Sequence, residues 1–408
     1  MNNQEHILQC SFCGKTKKQV NKLISGQDDV YICDLCVELS HGILSREDKQ
    51  KTLAQRRKRL RDIYATPTPR EIHEYLNQYI VGQERAKKSI SVAVYNHCKR
   101  IFNVTRVPVQ KSNVLLLGPT GVGKTLFAQT LARFLDVPFV ITDATTITES
   151  GYAGEDAEVL IHKLFQNSDY DVVKTEIGII YVDEIDKKAK RNDLVSLSRD
   201  VSGEGVQQSL LKLMEGTTLK VPNKKGANPE EVVIDTSNIL FIVGGAFVGI
   251  ENVVMQRLGK SKIGFKEDNK SELAWEDNLE TQDLVKYGLI PEFLGRLPSV
   301  NVLHELNRDD LKKVLTEPKN SLLQQYQALF ELDNVELEFN IRGIDAIVDI
   351  AIEQDLGARG LRKIIDMALI DVQYELPELA AKGVKKIVVS EETIRHERKP
   401  HMIKGSIN

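Results

Sequence analysis

The stretch "NVLLLGPTGVGKT", Asn113 to Thr125, constrains this chain more than any other. A short apolar run comes first. A G-x-x-x-x-G-K-T signature from Gly118 to Thr125 follows, and then a helical pattern from Leu126 to Leu135. That order, strand then glycine-rich turn then helix, is what a loop closing round phosphate oxygens requires. The glycines let backbone N–H groups turn inward, and the helix adds its positive N-terminal end. Gly118, Pro119, Thr120, Gly121, Val122, Gly123, Lys124, Thr125 and Leu126 are therefore the candidate nucleotide-binding residues. Lys124 is expected to reach the β- and γ-phosphates of ATP, and the Thr125 hydroxyl to hold Mg2+.

A second apolar run, "IGIIYV", ends in Asp183-Glu184. Carboxylates at the end of a buried strand are costly unless a cation or hydrogen bonds hold them. Asp183 fits a second contact to Mg2+. Glu184, one residue on, is placed to orient and deprotonate a water at the γ-phosphate, which points to hydrolysis rather than a bare binding switch. Further apolar runs at 137–144, 238–245 and 298–306 alternate with helical patterns, the mark of an α/β sheet with strands buried on both faces. From Asn307 the pattern turns helical, at 309–330 and 360–376, and predicts a smaller, mainly helical C-terminal domain. The chain's 408 residues leave room for two to three domains at about 150 residues each. The expected division is 1–45, a linker over 46–68 ending in "ATPTP", 69–306 and 307–408.

Composition excludes several classes. With 41% apolar and 28% charged residues and a net charge of −3, the chain carries no global basic field that would point to nucleic acid. The basic run "KQKTLAQRRKRLR" (49–61) reads as a solvated face beside a tether. The N-terminus is polar, with no signal or transit pattern. The longest near-apolar run, Ile239–Ile250, is too short for a membrane span of about 20 residues. A cytoplasmic protein is expected.

Four of the five cysteines form two C-x2-C pairs, Cys10 with Cys13 and Cys33 with Cys36, with 19 residues between them. This is the spacing of a four-thiolate zinc site. Disulfides or free thiols are the other readings; a reducing cytosol disfavours the first, and a module this small needs a staple in place of a core. Such a zinc ion is closed to substrate and purely structural. Asp28, Asp29, Asp34 and Glu38 offset the module's lysines, so it reads as a protein-docking surface, self-pairing included, rather than a DNA-binding one. Cys98 stands alone and reads as an ordinary helix residue.

Taken together the motifs resemble the ClpX family of AAA+ protein-unfolding ATPases over nearly the whole length. They are the zinc module, "IVGQERAKK" (80–88), "GPTGVGKT", "GYAGED" (151–156), "YVDEIDK" (181–187), "RDVSGEGVQQSLLKLMEGT" (199–217), "IGF" (263–265), "PEFLGRLP" (291–298) and "LGARGLR" (356–362). The resemblance implies a six-membered ring of identical subunits with ATP between neighbours, feeding a ClpP-type peptidase. Val81, with Gly82 and Gln83, would lie beside the adenine. Arg296 matches the arginine finger given to the neighbour's nucleotide, and Arg359 the sensor-2 arginine carried by the helical domain of the same subunit. Tyr152 matches the aromatic of the pore loop that grips a threaded chain, Arg191 and Arg199 lie in the second pore-loop region, and Ile263-Gly264-Phe265 matches the tripeptide that plugs the peptidase. Adaptors would dock on the zinc module. The family's sensor-1 position has no clear counterpart, because "NILFIVGG" ends in glycines.

Two departures stand out. Ala153 follows Tyr152 where the family usually has Val, and the middle of the 217–237 segment carries only the pair Lys224 and Lys225 where the family often has Arg-Lys-His at the channel mouth. The usual preference for peptide termini is therefore in doubt. No Ser/His/Asp or H-E-x-x-H arrangement is present, so the chain is not expected to cleave peptides itself. The alternative reading is an AAA+ remodeller of nucleic-acid or protein complexes that works without a peptidase.

Overall fold

The computed structural model describes residues 8–27, 29–40, 66–103, 107, 109–148, 155–190, 201–223, 230–260, 274–354 and 356–405. The chain divides into two units, Met1–Ala65 and Thr66–Asn408.

The first unit has a short antiparallel hairpin, β1 (Leu23–Ser25) against β2 (Tyr31–Cys33), followed by a helix over 34–40. Among its described residues the only buried apolar side chains are Cys10 and Cys33. The sulfur cluster thus stands where a core would be.

The second unit opens where the linker's prolines end. Thr68 caps helix α1 (Pro69–Asn77) in a reciprocal box with Glu71, and Pro69 takes the first helical position, where its missing N–H costs nothing. Helix α2 (Glu84–Phe102) follows; Cys98 is buried within it, and burial pushes its thiol up to about 12. The central sheet has five parallel strands, each one of the apolar runs in the sequence: β3 (Val114–Leu117), β4 (Phe139–Asp143), β5 (Ile179–Asp183), β6 (Leu240–Gly245) and β7 (Ser299–Val302). Their order is β7-β3-β6-β5-β4. All four residues of β3 and all six of β6 are buried, which is why these runs show no polar alternation. Helix α3 (Lys124–Leu135) follows the glycine-rich loop, and α4 (Val201–Glu215) contributes Val206, Leu210, Leu213 and Met214 to the core that covers the sheet.

Chain order and sheet order part company at β6. It lies between β3, which feeds the loop, and β5, which ends in Asp183. Clefts at the carboxyl ends of such strands are where parallel sheets bind ligands.

The 217–237 segment, read from sequence as a loop, instead forms two arms of a hairpin, Thr218–Asn223 and Glu230–Asp235, in register from Thr218↔Asp235 to Asn223↔Glu230. Leu219, Val221 and Ile234 face inward and bury, so the arms follow a period of two on either side of the polar tip. Lys224 and Lys225 lie outside the described residues.

The C-terminal part has its own apolar core. Helices α5 (Arg308–Thr316), α6 (Leu322–Glu331), α7 (Ile341–Glu353) and α8 (Gly357–Ala381) match the helical patterns, with the 309–330 run broken at Glu317 and Pro318. It also contains a three-stranded sheet that the sequence reading did not anticipate: β8 (Glu336–Phe339), β9 (Val384–Val389) and β10 (His401–Lys404). These strands are short and half-exposed, so no continuous apolar run marks them.

Candidate functional site

The glycine-rich loop is held open by close backbone contacts. Gly118 has φ of +147°, and a Cβ there would lie 2.4 Å from the Leu303 carbonyl oxygen, so no other residue fits. Its N–H donates to the Gly245 carbonyl at 3.3 Å, tying the loop to the end of β6. Lys124 Nζ donates to the carbonyls of Gly118 (2.6 Å) and Pro119 (2.8 Å). Burial lowers its affinity for its proton, while Asp183, Asp186 and Glu184 pull the other way. Thr125 Oγ1 donates to Asp183 Oδ2 at 3.2 Å. A hydroxyl and a carboxylate this close, at the floor of a cleft, are a suitable pair for a hard divalent cation.

The cleft has a volume of about 440 Å³ and is lined by Thr120, Gly121, Gly123, Lys124, Thr125, Leu126, Asp183, Glu184 and Arg359 among others. That volume suits a nucleotide-sized ligand. Glu184 is exposed to the cleft and adopts φ of +57°, the left-handed region that non-glycine residues enter only when their surroundings impose it. Arg359 is exposed in the first turn of α8, and its Cγ would lie 3.8 Å from a Cβ at Gly121. The small C-terminal core and the phosphate-binding loop therefore meet at one cleft.

Other expected residues sit elsewhere. Val81, Gly118, Pro119 and Val122 do not line the cleft. The Gly118 and Pro119 carbonyls hold Lys124, and Val122 is buried beneath the loop. Val81 is half-buried in a turn fixed by Gln83, whose amide donates to the His304 carbonyl (2.7 Å) and accepts from the His304 N–H (2.9 Å). Arg296 is outside the cleft, half-exposed, with Nη2 2.6 Å from Glu215 Oε1. Tyr152, Ala153, Arg191, Arg199, Ile263, Gly264 and Phe265 lie outside the described residues. The 149–154 segment leaves and rejoins a two-residue parallel ladder, Ile147–Thr148 with Glu155–Asp156.

Several lining residues escaped the sequence reading: Gln129, Asp186, Lys187, Ala246, Val248 and Ala358. Gln129 carried a usable signal, since it stands one helical turn after Thr125. Asp186 is buried and accepts from the Ala246 N–H at 3.2 Å, so it braces the turn after β6.

In the first unit the sulfurs of Cys10, Cys13, Cys33 and Cys36 all lie within 4.8 Å of one another, with Cys13 and Cys33 3.6 Å apart. A tetrahedral zinc with Zn–S bonds of about 2.3 Å sets its ligands roughly 3.8 Å apart, so the cluster fits that ion. Cys10 sits on a tight turn closed by the Gly14 N–H to the Cys10 carbonyl (2.8 Å). Cys36, hydrogen-bonded to Cys13 and half-buried, is pushed up to about 12, so four sulfurs this close ionise together only with a cation between them.

Comparison with known proteins agrees with this geometry. Residues 8–46 match the ClpX C4-type zinc finger, 109–300 the AAA domain (Cdc48 subfamily), and 306–386 the C-terminal D2-small domain of ClpB protein. The chain is 46% identical to the ATP-dependent Clp protease ATP-binding subunit ClpX of Treponema denticola, over 97% of this chain and 96% of that one. The chain belongs to the ClpX family. As a ClpX-type AAA+ ATPase it is an ATP-dependent unfoldase and not itself a peptidase, and its cofactors are ATP, Mg2+ and structural zinc. No described helix is long and apolar enough to cross a membrane.

Proposed function

We propose that the cleft between the phosphate-binding loop and the start of α8 is where ATP hydrolysis is turned into movement of a threaded polypeptide. The observation that carries this reading is the position of Arg359, beside Gly121 and in one cleft with Lys124, Thr125, Asp183 and Glu184. The loop's N–H groups and Lys124 bind the phosphates. Thr125 and Asp183 hold Mg2+, which when bound neutralises charge on the β- and γ-oxygens. Glu184 takes the proton of the attacking water. Arg359 stabilises charge on the γ-phosphate from the same subunit, and Arg296, on the surface and away from its own cleft, does so for a neighbour in a homohexamer. Val81 borders the adenine.

The division of labour is 1–45 for zinc, 46–68 for the tether, 69–306 for the ATPase and 307–408 for the small domain. Tyr152 and Ala153 contact substrate, with Arg199 nearby, and Ile263-Gly264-Phe265 docks a ClpP-type peptidase. The zinc module receives substrates or adaptors; nucleic acid is not a partner, and the protein works in the cytoplasm. The test is ATP-dependent unfolding of a tagged fluorescent protein, with and without such a peptidase, comparing wild type with Tyr152→Ala. Loss of unfolding with ATPase retained supports the reading; unfolding at the wild-type rate refutes it.

A further inference from the structure

Tyr181 lies on β5 two residues before Asp183, so the two side chains share one face of the sheet. Tyr181 is fully buried, and its hydroxyl has no hydrogen-bond partner among the described residues. A phenylalanine would pack in the same place without leaving a hydroxyl unsatisfied.

The hydroxyl points at the end of β6. Tyr181 pairs in register with Ile242, which puts Gly244 on the same face one step further on. A Cβ at Gly244 would lie 2.2 Å from the Tyr181 hydroxyl, and one at Gly245 would lie 2.8 Å from Asp186 Oδ1 and 2.6 Å from the Phe247 ring. The strand between the loop strand and the acid strand therefore ends without side chains, and Tyr181 and Asp186 fill the space. Burial, and after it the charge of Asp183, raises the phenol well above its ordinary value. Asp183, two residues on along the same face of β5, is the nearest acid in line with it. The Asp183 carboxylate accepts from Thr125 on Oδ2 and from the Glu184 N–H on Oδ1, and each oxygen has a second lone pair to offer.

We propose that Tyr181 is a positioning residue for Mg2+: its hydroxyl donates to Asp183 when the Thr125–Asp183 pair engages the metal, fixing that carboxylate from beneath. The proposal rests on the reading of Thr125 and Asp183 given above. A polar group from β5 then does the work at the carboxyl end of the sheet that the glycines of β6 have no atoms to do.

The test is Tyr181→Phe in the full-length chain. Three quantities are compared with wild type: the Mg2+ concentration giving half-maximal ATPase, the affinity for a fluorescent ADP analogue without metal, and the nucleotide-free melting temperature. The variant should need about two- to tenfold more Mg2+, the worth of one hydrogen bond. Metal-free affinity should be unchanged and melting equal or higher, since an unsatisfied group has gone. Any other combination overturns the proposal; in particular, an unchanged Mg2+ requirement or a lowered melting point makes Tyr181 a packing residue only. If wild-type ATPase shows no Mg2+ dependence at all, the reading of Thr125 and Asp183 fails first.

Discussion

Asp283→Asn should loosen the base of the 261–273 segment that carries Ile263-Gly264-Phe265. In the chain the segment follows helix Ile250–Lys260 and precedes the turn Trp275–Asn278, which leads into helix Thr281–Tyr287. Arg257 and Asp283 clasp those two helices: Nε donates to Oδ1 and Nη2 to Oδ2, both at 2.9 Å, and the Glu280 N–H donates to Oδ2 at 3.0 Å. Asp283 is fully buried. Burial alone would raise its carboxyl, but the Arg257 hydrogen bonds, the Glu280 N–H and the charges of Arg257 and Lys286 outweigh it and hold the group below its usual range. Asparagine keeps the shape, removes the charge and turns an amide N–H2 toward a guanidinium. Breaking a buried pair from one side should cost about 3 kcal/mol, which for a domain of this size is a melting drop of roughly 6–12 °C.

The chain's single tryptophan, Trp275, sits beside the clasp in the turn Trp275–Asn278 and packs against the large core, so its fluorescence reports this region selectively. The depressed carboxyl contributes stability that is complete above the unfolded value of about 3.9 and is lost as pH falls through the folded value below it. The gap between wild type and variant should therefore hold from neutrality to about pH 4 and close beneath it. Coincident Trp275 melting curves at pH 7 would refute the reasoning.

Two further outcomes follow from the site. Glu184→Gln should bind ATP normally while turnover falls by about 10²–10⁴-fold, the usual worth of a general base; a steady-state ATPase assay at normal rate would remove Glu184 from the mechanism. Ala153→Val restores two methyls beside Tyr152, worth at most about 1–2 kcal/mol of grip if buried, and should raise the number of stable substrate molecules unfolded per ATP consumed; an unchanged ratio would show that the smaller side chain has no effect.

The three central strands, β3, β5 and β6, were legible because they are buried on both faces and so read as unbroken apolar runs, and the edge strands β4 and β7 kept enough apolar residues to stand out beside them. The loop and its acids were legible because backbone geometry demands those residue types in that order. What stayed hidden depended on contacts between distant segments. Gln83 bracketing His304 leaves no local pattern, nor does Arg257 meeting Asp283 across 26 positions. The glycines ending β6 looked like a missing side chain; the reason for Gly244 lies on the neighbouring strand, in Tyr181, and that for Gly245 in Asp186 and the Phe247 ring. The hairpin at 218–235 kept its alternation, but the charged and Pro-containing tip masked it. Strand β9, "VKKIVV", stands just after a long helix, and its mixed polar and apolar residues suit a sheet with one face exposed rather than one buried on both.

Helix α8 gives the arrangement mechanical leverage. Its 25 residues span about 37 Å, and Arg359 stands at one extremity while Leu376 and Leu379 near the other pack against the small core. A tilt of about 10° at the arginine end would sweep the far end through roughly 6 Å, close to the advance of two residues of extended chain at about 3.3 Å each. A rod with one end in that cleft is thus long enough for a displacement of atomic size to become a stride of peptide size.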